Sequence, residues 1–572
     1  MKILVFYLWL QFCWNCFAKL NTEWWTHTII YEMIPCTFKD SDGDGTGDFK
    51  GITSKLDHFV DLGIETIHMT PMFETTARDM GYDITDYYKV DHGLGTMSDL
   101  EELISEMNKR NMKLLLDLVI NHSGHKHEWF QKSIDRIDPY TDFYVWKDSK
   151  GFNNKTNKKI PPNRWVSKSV SFGSSGSGWE WNEKRKQFYF HQFLAEQPDF
   201  DLRNEIVKKE LWKIIEFWLN KGVAGFRLDA TPFFFEDKEF RDDDHSRQFN
   251  QPEVYEFIHE FRTYLDKYNQ EHGGFERIFI AEAHSKAETV IKYYDREDYP
   301  ITHFPYTFLL SYLGGPLKAN RLIYCLSYWM TILPKGKVSA WMTQDHDGSR
   351  VGSRIVPEYG DIFTMISMML PGTVGVYYGQ EIAMIDGLVT KEQIKDFSGG
   401  GSRDPARLTM QWDDSINAGF STNTTTTYLP ANSDYFERNV EMQKIQPVSH
   451  YNLFKDLSTL RRTNTFRYGK FKNNVHFENI YILTRSYEGH VLTLIANLYR
   501  TSSFGVNLTE ILRNHPDEII IAAASVNSGY IKGSNIEHDS WEEFYMRPLA
   551  SVVLESYQPH TENEESTSSP DF

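Results

Sequence analysis

Gly225-Phe-Arg-Leu-Asp-Ala230 is the stretch that decides the fold assignment, because it places an arginine and a carboxylate two residues apart after an apolar helical run. Side chains two residues apart on a β-strand lie on the same face. If this strand belongs to a parallel β/α barrel, Arg227 and Asp229 point inward at its C-terminal end, where such barrels have their active sites. The stretch alone fits a structural ion pair equally well, since buried ion pairs are common without catalysis.

Short apolar runs alternate with helical segments through most of the chain, a pattern typical of α/β folds. The helical segments, whose apolar residues recur every three or four positions, are 97–111, 204–222, 253–268 and 359–370. The predicted strands are 29–34, 66–71, 113–120, 225–230, 277–282, 338–343 and 373–378, with a further strand, the sixth in order, near 303–308. The alternation predicts a (β/α)8 TIM barrel.

The barrel is predicted to have two attachments. After Asn121-His122 the alternation stops for about seventy residues, and the tryptophans of this interval suit a small core better than a disordered loop. Near the C-terminus, short β-type runs predict an antiparallel β domain. The predicted boundaries are 19–121 and 195–472 for the two parts of the barrel domain, 122–194 for a domain inserted after strand 3, 473–556 for the C-terminal β domain and 557–572 for a disordered acidic tail.

The chain is acidic and rich in aromatic residues. Its 572 residues include 61 Lys and Arg against 79 Asp and Glu, a net charge of -18 that argues against binding to a nucleic-acid backbone. Aromatic residues make up 15% of the chain, which suits stacking on sugar faces, although most aromatic residues belong to a core. The composition favours a neutral or cationic small-molecule partner.

Residues 1–18 are predicted to be a secretory signal peptide, because one lysine precedes a short apolar run that ends in a small residue. A signal-anchor is the alternative, but Gln11 and Asn15 interrupt the run, which is short for a membrane span. We therefore expect a mature chain that begins near Lys19, is secreted into the extracellular space and has no membrane span.

Signal cleavage would remove two of the four cysteines and leave Cys36 and Cys325, for which one disulfide is possible but unsupported. Sequons in an exported chain predict glycans at Asn154, Asn423 and Asn507. Asn121-His-Ser also fits the sequon pattern, but it ends a predicted core strand and is expected to stay unmodified.

Asp40-Ser-Asp-Gly-Asp-Gly-Thr-Gly-Asp48 follows the first strand and sets acidic residues at alternate positions between glycines. Such a loop can wrap oxygens around a hard cation, and calcium fits best. An EF-hand is excluded, because Gly51 stands where its twelfth-position ligand would be. A solvated acidic turn is the alternative, although its carboxylates would then repel one another. The ligands of the expected structural Ca²⁺ are Asp40, Asp42, Asp44, Thr46 and Asp48.

Three of the predicted strands deliver a carboxylate at or just beyond their C-terminal ends: Asp229, Glu282 and Asp347. These groups would meet at one mouth of the barrel, and burying three of them for structure alone would be costly. Retaining glycoside hydrolysis requires two carboxylates about 5 to 5.5 Å apart, one ionised and one protonated through a raised pKa. Together the three positions indicate this chemistry, although each alone is weak.

The chain resembles the α-amylase superfamily, the family 13 glycoside hydrolases, and within it the animal maltase-like α-glucosidases. The resemblance runs from about residue 25 to about residue 554, and its motifs are Asp117-Leu-Val-Ile-Asn-His122, 225–229, Glu282, His346-Asp347, Gln197-Pro-Asp199, Tyr82-Asp83 and Arg403-Asp-Pro-Ala-Arg-Leu-Thr-Met-Gln-Trp-Asp413. It implies the barrel fold, with Asp229 as the nucleophile, Glu282 as the general acid/base and Asp347 as the carboxylate that binds the sugar hydroxyls.

The same resemblance implies a set of substrate contacts. Asp83 and Arg403 would clamp the terminal glucose, and Arg227 would keep Asp229 ionised. The implied substrate-binding residues are Tyr82, Asp83, His122, Arg227, His346 and Arg403.

Three positions depart from the usual family pattern. Asp345 stands where Asn usually precedes the His-Asp pair, Phe200-Asp201 replaces the commoner Leu-Asn, and Leu408-Thr409 replaces Thr-Pro. None of these changes removes a catalytic carboxylate. Asp345 adds a charge beside the site and so affects substrate preference and pH optimum, whereas Ala230 after the nucleophile resembles enzymes that prefer α-1,4 bonds or sucrose.

Two functions follow from the resemblance. The first is a secreted, retaining, exo-acting α-glucosidase that removes terminal glucose from maltose, sucrose or short malto-oligosaccharides through a covalent glycosyl-enzyme intermediate. The second is a non-catalytic or moonlighting binding protein or receptor, like the transporter heavy chains that share this fold. The complete set of carboxylates and the absence of a persistent membrane anchor in the sequence favour the first function.

Overall fold

The computed structural model describes residues 24–168, 176–242, 245–296, 299–422, 426–512 and 516–557. The predicted signal peptide, the Asn423 sequon and residues 558–572 of the predicted tail lie outside the described residues. Within the described part of the chain, no helix is long and apolar enough to cross a membrane. Cys36 and Cys325 are both free thiols.

Eight parallel strands form a closed barrel, as the sequence predicts, and the sixth strand near 303–308 is confirmed with the others. Each strand pairs in parallel with the strands before and after it in the chain, and the eighth pairs with the first. The strands are β1 (Ile29–Met33), β2 (Thr66–Met69), β3 (Lys113–Leu118), β4 (Gly225–Leu228), β5 (Ile278–Ala281), β6 (Phe304–Thr307), β7 (Ala340–Met342) and β8 (Thr373–Tyr377).

Strand β4 shows how the barrel positions its polar residues. Gly225 begins β4 with φ 143°, and a Cβ at this position would lie only 2.1 Å from the carbonyl oxygen of Ile278 on β5. Glycine therefore allows the two strands to approach closely. In the resulting register Arg227 lies beside Asp117 of β3, while Phe226 and Leu228, which alternate with it along the strand, are buried in the large hydrophobic core.

Amphipathic helices cover the barrel, and several begin at polar caps. Thr96 forms a capping box with Asp99, and the side chain of Asn204 accepts the backbone N–H of Ile206. The longer helices are Met97–Lys109, Glu205–Asn220, Glu253–His272, Ala319–Ile332, Tyr359–Met369 and His450–Arg461. The shorter ones are Pro35–Phe38, Phe49–Ser54, Leu56–Leu62, Glu128–Ile134, Ala287–Val290, Val351–Arg354, Val440–Ile445, Asn464–Tyr468 and Leu508–Leu512.

The segment between β3 and the helix Glu205–Asn220 forms small sheets of its own. Trp146–Lys147, Gln187–Phe190 and Trp179–Asn182 form a three-stranded antiparallel sheet in that spatial order. The hairpin strands Gly151–Asn153 and Lys158–Ile160 lie beside each other and are exposed. A small core contains Val145, Trp165, Trp179, Phe188 and Phe190. Two tryptophans of this interval therefore pack together in it, whereas Trp146 belongs to the large core.

The C-terminal part is a five-stranded antiparallel sheet, as predicted. Its strands, in spatial order, are Lys470–His476, Ile480–Tyr487, His490–Asn497, Ser551–Tyr557 and Ile519–Ala524, and Phe504–Val506 pairs separately with Phe544–Met546. The first strand begins before the predicted boundary at 473. No apolar run marks it, because its residues are all exposed or partly exposed at the edge of the sheet.

Candidate active site

The ends of β4, β5 and β7 bring the three predicted carboxylates into one polar cluster. Asp229 and Glu282 directly follow β4 and β5, and Asp347 lies in the loop after β7. Asp229 is 8% exposed and Glu282 is 6% exposed. Carboxylates buried to this degree need cationic or hydrogen-bonding partners, which the same strands supply.

Arg227 is the cation that connects these groups. Its Nη1 donates to both carboxylate oxygens of Asp117, at 2.8 and 2.9 Å, and to Oδ1 of Asp229 at 2.5 Å. Its Nη2 lies 3.5 Å from Oε2 of Glu282. One guanidinium therefore serves three carboxylates.

The charge balance around Asp229 differs from the expectation that Arg227 keeps it ionised. Burial raises the pKa of Asp229, Arg227 lowers it, and the nearby carboxylates of Glu282 and Asp117 raise it again. The net result is a pKa well above the ordinary value, because burial and the neighbouring carboxylates together outweigh Arg227.

Glu282 is held by contacts from its own strand and from β4. Its Oε2 accepts the backbone N–H of Ala230 at 2.6 Å, and its Oε1 lies 2.9 Å from Nε2 of His284. Its main-chain carbonyl accepts the hydroxyl of Thr231 at 2.6 Å, which joins the ends of the two strands. Burial raises the pKa of the Glu282 carboxyl, but Arg227 and His284 outweigh burial and lower it to about 2.

Asp347 and His346 form the third part of the cluster. Oδ1 of Asp347 accepts a hydrogen bond from Nη1 of Arg403 at 2.7 Å and another from Nη2 of Arg407 at 3.1 Å. Burial raises the pKa of Asp347, but His346 and the two arginines bring it well below its ordinary value. Nδ1 of His346 lies 2.8 Å from Oε1 of Glu32. Burial lowers the pKa of His346, but Asp347 and Glu32 raise it to about 9.

Asp83 and Arg403, which are predicted to clamp the terminal glucose, do not contact each other. Arg403 contacts Asp79 at 2.7 Å and Asp396 at 2.5 Å in addition to Asp347. The Asp83 carboxylate is fully buried within its own turn, where it accepts the hydroxyls of Thr75 and Thr76 and the backbone N–H groups of residues 76, 78 and 79. Asp83 therefore stabilises the turn that presents Asp79, and Asp79 is the partner of Arg403.

Tyr82 and His122 line the same region but bond mainly to protein groups. The Tyr82 hydroxyl donates to Asp117 at 2.7 Å and lies 2.8 Å from Nε2 of His346. Nε2 of His122 lies 3.0 Å from the Tyr82 carbonyl oxygen, and burial lowers the pKa of His122 to about 4. A neutral His122 donates one hydrogen bond, and the Tyr82 carbonyl receives it.

Several polar residues of the cluster were not among the predicted site residues. Glu32, His68 and Asp117 lie inside apolar barrel strands, and an ionisable residue in such a strand is a signal that could have identified them. Arg407 lies within the 403–413 motif and His284 lies just beyond the predicted strand 277–282, whereas Asp79 and Asp396 have no comparable signal, because their loops meet only in the folded chain.

The acidic loop brings three of the five predicted calcium ligands together. Asp40, Asp42 and Asp48 each offer a carboxylate oxygen, and these oxygens all lie within 4.8 Å of one another. Asp44 is outside this group and accepts the backbone N–H of Thr46 at 2.7 Å. Hard oxygen donors that converge in this way fit calcium. The loop is also stabilised without a cation, since Asp40 accepts the N–H groups of residues 42, 43 and 45.

Comparison with known proteins agrees with this geometry. Residues 32–469 match the model of the alpha-amylase family, described as the alpha amylase catalytic domain. Maltase 1 of Drosophila virilis is 37% identical over 88% of this chain and 83% of its own length. The amino acid transporter heavy chain SLC3A1 of Homo sapiens is 35% identical over 90% of this chain and 76% of its own.

Among solved structures, a trehalose-6-phosphate hydrolase of Bacillus licheniformis superposes with a TM-score of 0.78 at 26% identity and covers 94% of this chain and 100% of its own. The barrel, the carboxylates at its strand ends and the family match over residues 32–469 lead to one conclusion. This chain belongs to the α-amylase family and is a glycoside hydrolase.

Proposed function

We propose that the protein is a retaining, exo-acting α-glucosidase that removes terminal α-linked glucose from maltose, sucrose or short malto-oligosaccharides. The observation that supports this most directly is the contact of Asp229 and Glu282 with the same guanidinium, that of Arg227, at 2.5 and 3.5 Å. This arrangement places two carboxylates close together, as a double-displacement glycosidase requires.

Asp229 is the proposed nucleophile. Its Oδ1 accepts a hydrogen bond from Arg227. Its Oδ2 accepts no hydrogen bond from the described part of the chain, so Oδ2 is available to attack the anomeric carbon. Bond formation neutralises the carboxylate as an ester. Arg227 remains bonded to Asp117 throughout and so keeps its position while Asp229 changes charge.

Glu282 is the proposed general acid and base. It protonates the departing glycosidic oxygen and later removes a proton from the water that hydrolyses the glycosyl ester. The Ala230 N–H at 2.6 Å orients Oε2, which leaves Oε1 as the oxygen next to His284.

Asp347, Arg403 and Asp79 are proposed to bind the terminal glucose. Arg403 joins Asp79, Asp347 and Asp396, which come from three separate loops, and the ion pairs hold these carboxylates together. Exo action is proposed from the resemblance to the maltase-like α-glucosidases. Ala230 after the nucleophile supports α-1,4-glucosides or sucrose as substrates.

The transporter heavy chain among the relatives raises a second candidate, a binding protein without catalysis. Its 35% identity to this chain is close to that of the maltase. The candidate nucleophile, acid/base and third carboxylate are all present here with cationic partners, and this favours catalysis.

The acidic loop is proposed to bind a structural calcium ion through Asp40, Asp42 and Asp48, with Asp44 and Thr46 as the remaining predicted ligands. Secretion is proposed from the signal pattern at 1–18. Glycans are proposed at the predicted sequons. Asn154 is exposed in a hairpin turn, whereas the side-chain oxygen of Asn507 accepts the backbone N–H groups of Thr509 and Glu510.

The test is an assay of the purified secreted protein on maltose, sucrose, isomaltose and trehalose. We expect glucose release from maltose or sucrose to exceed release from isomaltose. Asp414→Asn, a change at an exposed carboxylate away from the site, is the matched control for Asp229→Asn. A protein that is folded, binds these sugars and releases no glucose would support the binding-protein candidate instead.

A further inference from the structure

His284 lies two residues after Glu282, and its imidazole is held on three sides. Its Nε2 lies 2.9 Å from Oε1 of Glu282, and its Nδ1 lies 2.7 Å from the hydroxyl of Tyr312. Its ring stacks on Phe308 with centroids 3.9 Å apart. Because both nitrogens have partners and one ring face is covered, the ring cannot turn away from Glu282 without losing these contacts.

Both nitrogen contacts place a proton on Nε2, the nitrogen that faces the Glu282 carboxylate. An imidazolium donates to Glu282 and to the Tyr312 oxygen, and a neutral ring protonated on Nε2 donates to Glu282 and accepts the Tyr312 hydroxyl. Tyr312 lies after β6, so the geometry of this contact depends on the packing of β6 against β5.

The charges around His284 are mostly negative. Glu282 faces it from the end of β5, and Asp345 and Asp347 interact with it from the loop after β7. Arg227 on β4 is a cation of this group, and its Nη2 lies 3.5 Å from Oε2 of Glu282, the oxygen that does not contact His284. The His284 side chain is 32% exposed, and its partial burial lowers its pKa, but the three carboxylates raise that pKa to about 9.

Asp345, the departure from the usual family pattern, is part of this arrangement. It is 8% exposed, and its Oδ1 accepts the backbone N–H of Asp347 at 2.9 Å. Burial raises the pKa of Asp345, while His284 lowers it. Asp345 therefore adds a buried carboxylate whose negative charge favours the protonated ring of His284.

We propose that His284 is a positioning residue that holds the proton used by Glu282 and exchanges it with Glu282 in each half-reaction. The proposal rests on the proposed glycosidase function and adds to it the group that sets the alkaline limit of activity. In the resting enzyme the pair shares one proton, which resides on Nε2 of His284 while Glu282 is ionised.

The proton balance follows from the 2.9 Å contact. In the first half-reaction Nε2 gives its proton to Oε1 of Glu282 and Glu282 gives a proton to the glycosidic oxygen. The C1–O bond breaks as the C1–Asp229 ester forms, and the pair is left without the shared proton. In the second half-reaction water attacks C1 and its proton passes to Glu282 and on to His284. The ester breaks, and the resting state is restored.

The first test compares pH profiles of kcat/KM for wild type and His284→Gln on maltose. Without His284, Glu282 must keep its own proton, so the alkaline limb should move to lower pH by at least about one unit. At the wild-type optimum kcat/KM for maltose should fall at least about tenfold. It should fall much less for 4-nitrophenyl α-glucoside, whose leaving group needs little protonation. An unmoved alkaline limb, or an equal loss on both substrates, would overturn the proposal.

Two further variants keep the test interpretable. Asp345→Asn retains the acceptor for the Asp347 N–H but removes the negative charge. It should therefore move the alkaline limb to lower pH, by less than His284→Gln does. An alkaline limb that does not move would count against the proposal. His92→Gln is the matched control, because His92 forms a comparable contact with Glu74 at 3.1 Å on the exposed surface, and it should leave both profiles unchanged.

A readout that needs no turnover separates this inference from the proposed function. Nitrogen-15 NMR of histidine-labelled protein, with the His284 signal assigned by its loss in His284→Gln, should show an imidazolium at pH 7.5 that titrates at alkaline pH. In Glu282→Gln the His284 titration should move to lower pH. A neutral His284 at pH 7.5 overturns the inference even if the enzyme is active, whereas an imidazolium in a protein that releases no glucose refutes the glycosidase function alone.

Discussion

Asp229→Asn should abolish turnover without destabilising the fold. The amide has nearly the same volume as the carboxylate but cannot form the glycosyl ester. We expect the rate to fall at least about 10⁴-fold, which corresponds to about 5 kcal/mol of transition-state stabilisation. Stability should be unchanged or slightly higher, because Arg227 still has both oxygens of Asp117 at 2.8 and 2.9 Å and serves one carboxylate fewer.

Arg227→Leu is the contrasting change at the same cluster. It leaves the carboxylates of Asp117 and Asp229 without the cation that they share. Removal of one partner from a buried ion pair costs about 3–5 kcal/mol of unfolding free energy. The two variants therefore separate a chemical role from a structural one, which the Gly225–Ala230 stretch alone left open.

The assay is hydrolysis of 4-nitrophenyl α-glucoside together with thermal unfolding of each variant, with Asp414→Asn as the control that should match wild type in both measurements. The assignment of the nucleophile is refuted if Asp229→Asn keeps more than about a tenth of the wild-type rate. It is also refuted if the loss of activity is accompanied by a melting temperature as low as that of Arg227→Leu, because the loss would then reflect unfolding.

The remaining predictions concern stereochemistry, calcium, pH and the glucose clamp. Proton NMR in the first minutes of maltose cleavage should show α-glucose, because two inversions restore the configuration, and initial β-glucose would mean that Asp229 is not a nucleophile. EDTA should lower the melting temperature more than it lowers room-temperature activity, and an unchanged curve with no metal by elemental analysis would remove calcium from the account. The pKa of Asp229 lies above the ordinary aspartate value of 3.8, so this carboxylate becomes protonated as the pH falls towards that value. We therefore expect kcat/KM to fall at a pH above 3.8. Full activity at pH 3.8 would contradict the raised pKa of Asp229. Asp79→Asn should raise KM for maltose with little change in melting temperature, because Asp79 contacts Arg403. Asp83→Asn should lower the melting temperature, because the Asp83 carboxylate stabilises its own turn. The reverse pattern would assign the glucose contact to Asp83.

Most of the fold could be predicted from the sequence because the determinants of each strand are local. Each barrel strand is a short apolar run between turns, and all eight runs form strands within a few residues of the predicted bounds. The edge strand Lys470–His476 is the counterexample. Its partly exposed residues form no apolar run, so only its pairing with Ile480–Tyr487 defines it.

The sequence by itself determined that Asp229 and Glu282 meet at one end of the barrel, because residues that follow parallel strands share an edge. It could not determine which side chains pair across that edge. Arg403 pairs with Asp79 rather than Asp83 because the turn between them uses the Asp83 carboxylate to bind its own backbone. The contact of His284 with Glu282 likewise depends on Tyr312 and Phe308 of another loop. Such partners are separated by tens to hundreds of residues, and their distances are decided by loop conformation and packing, which no local pattern encodes.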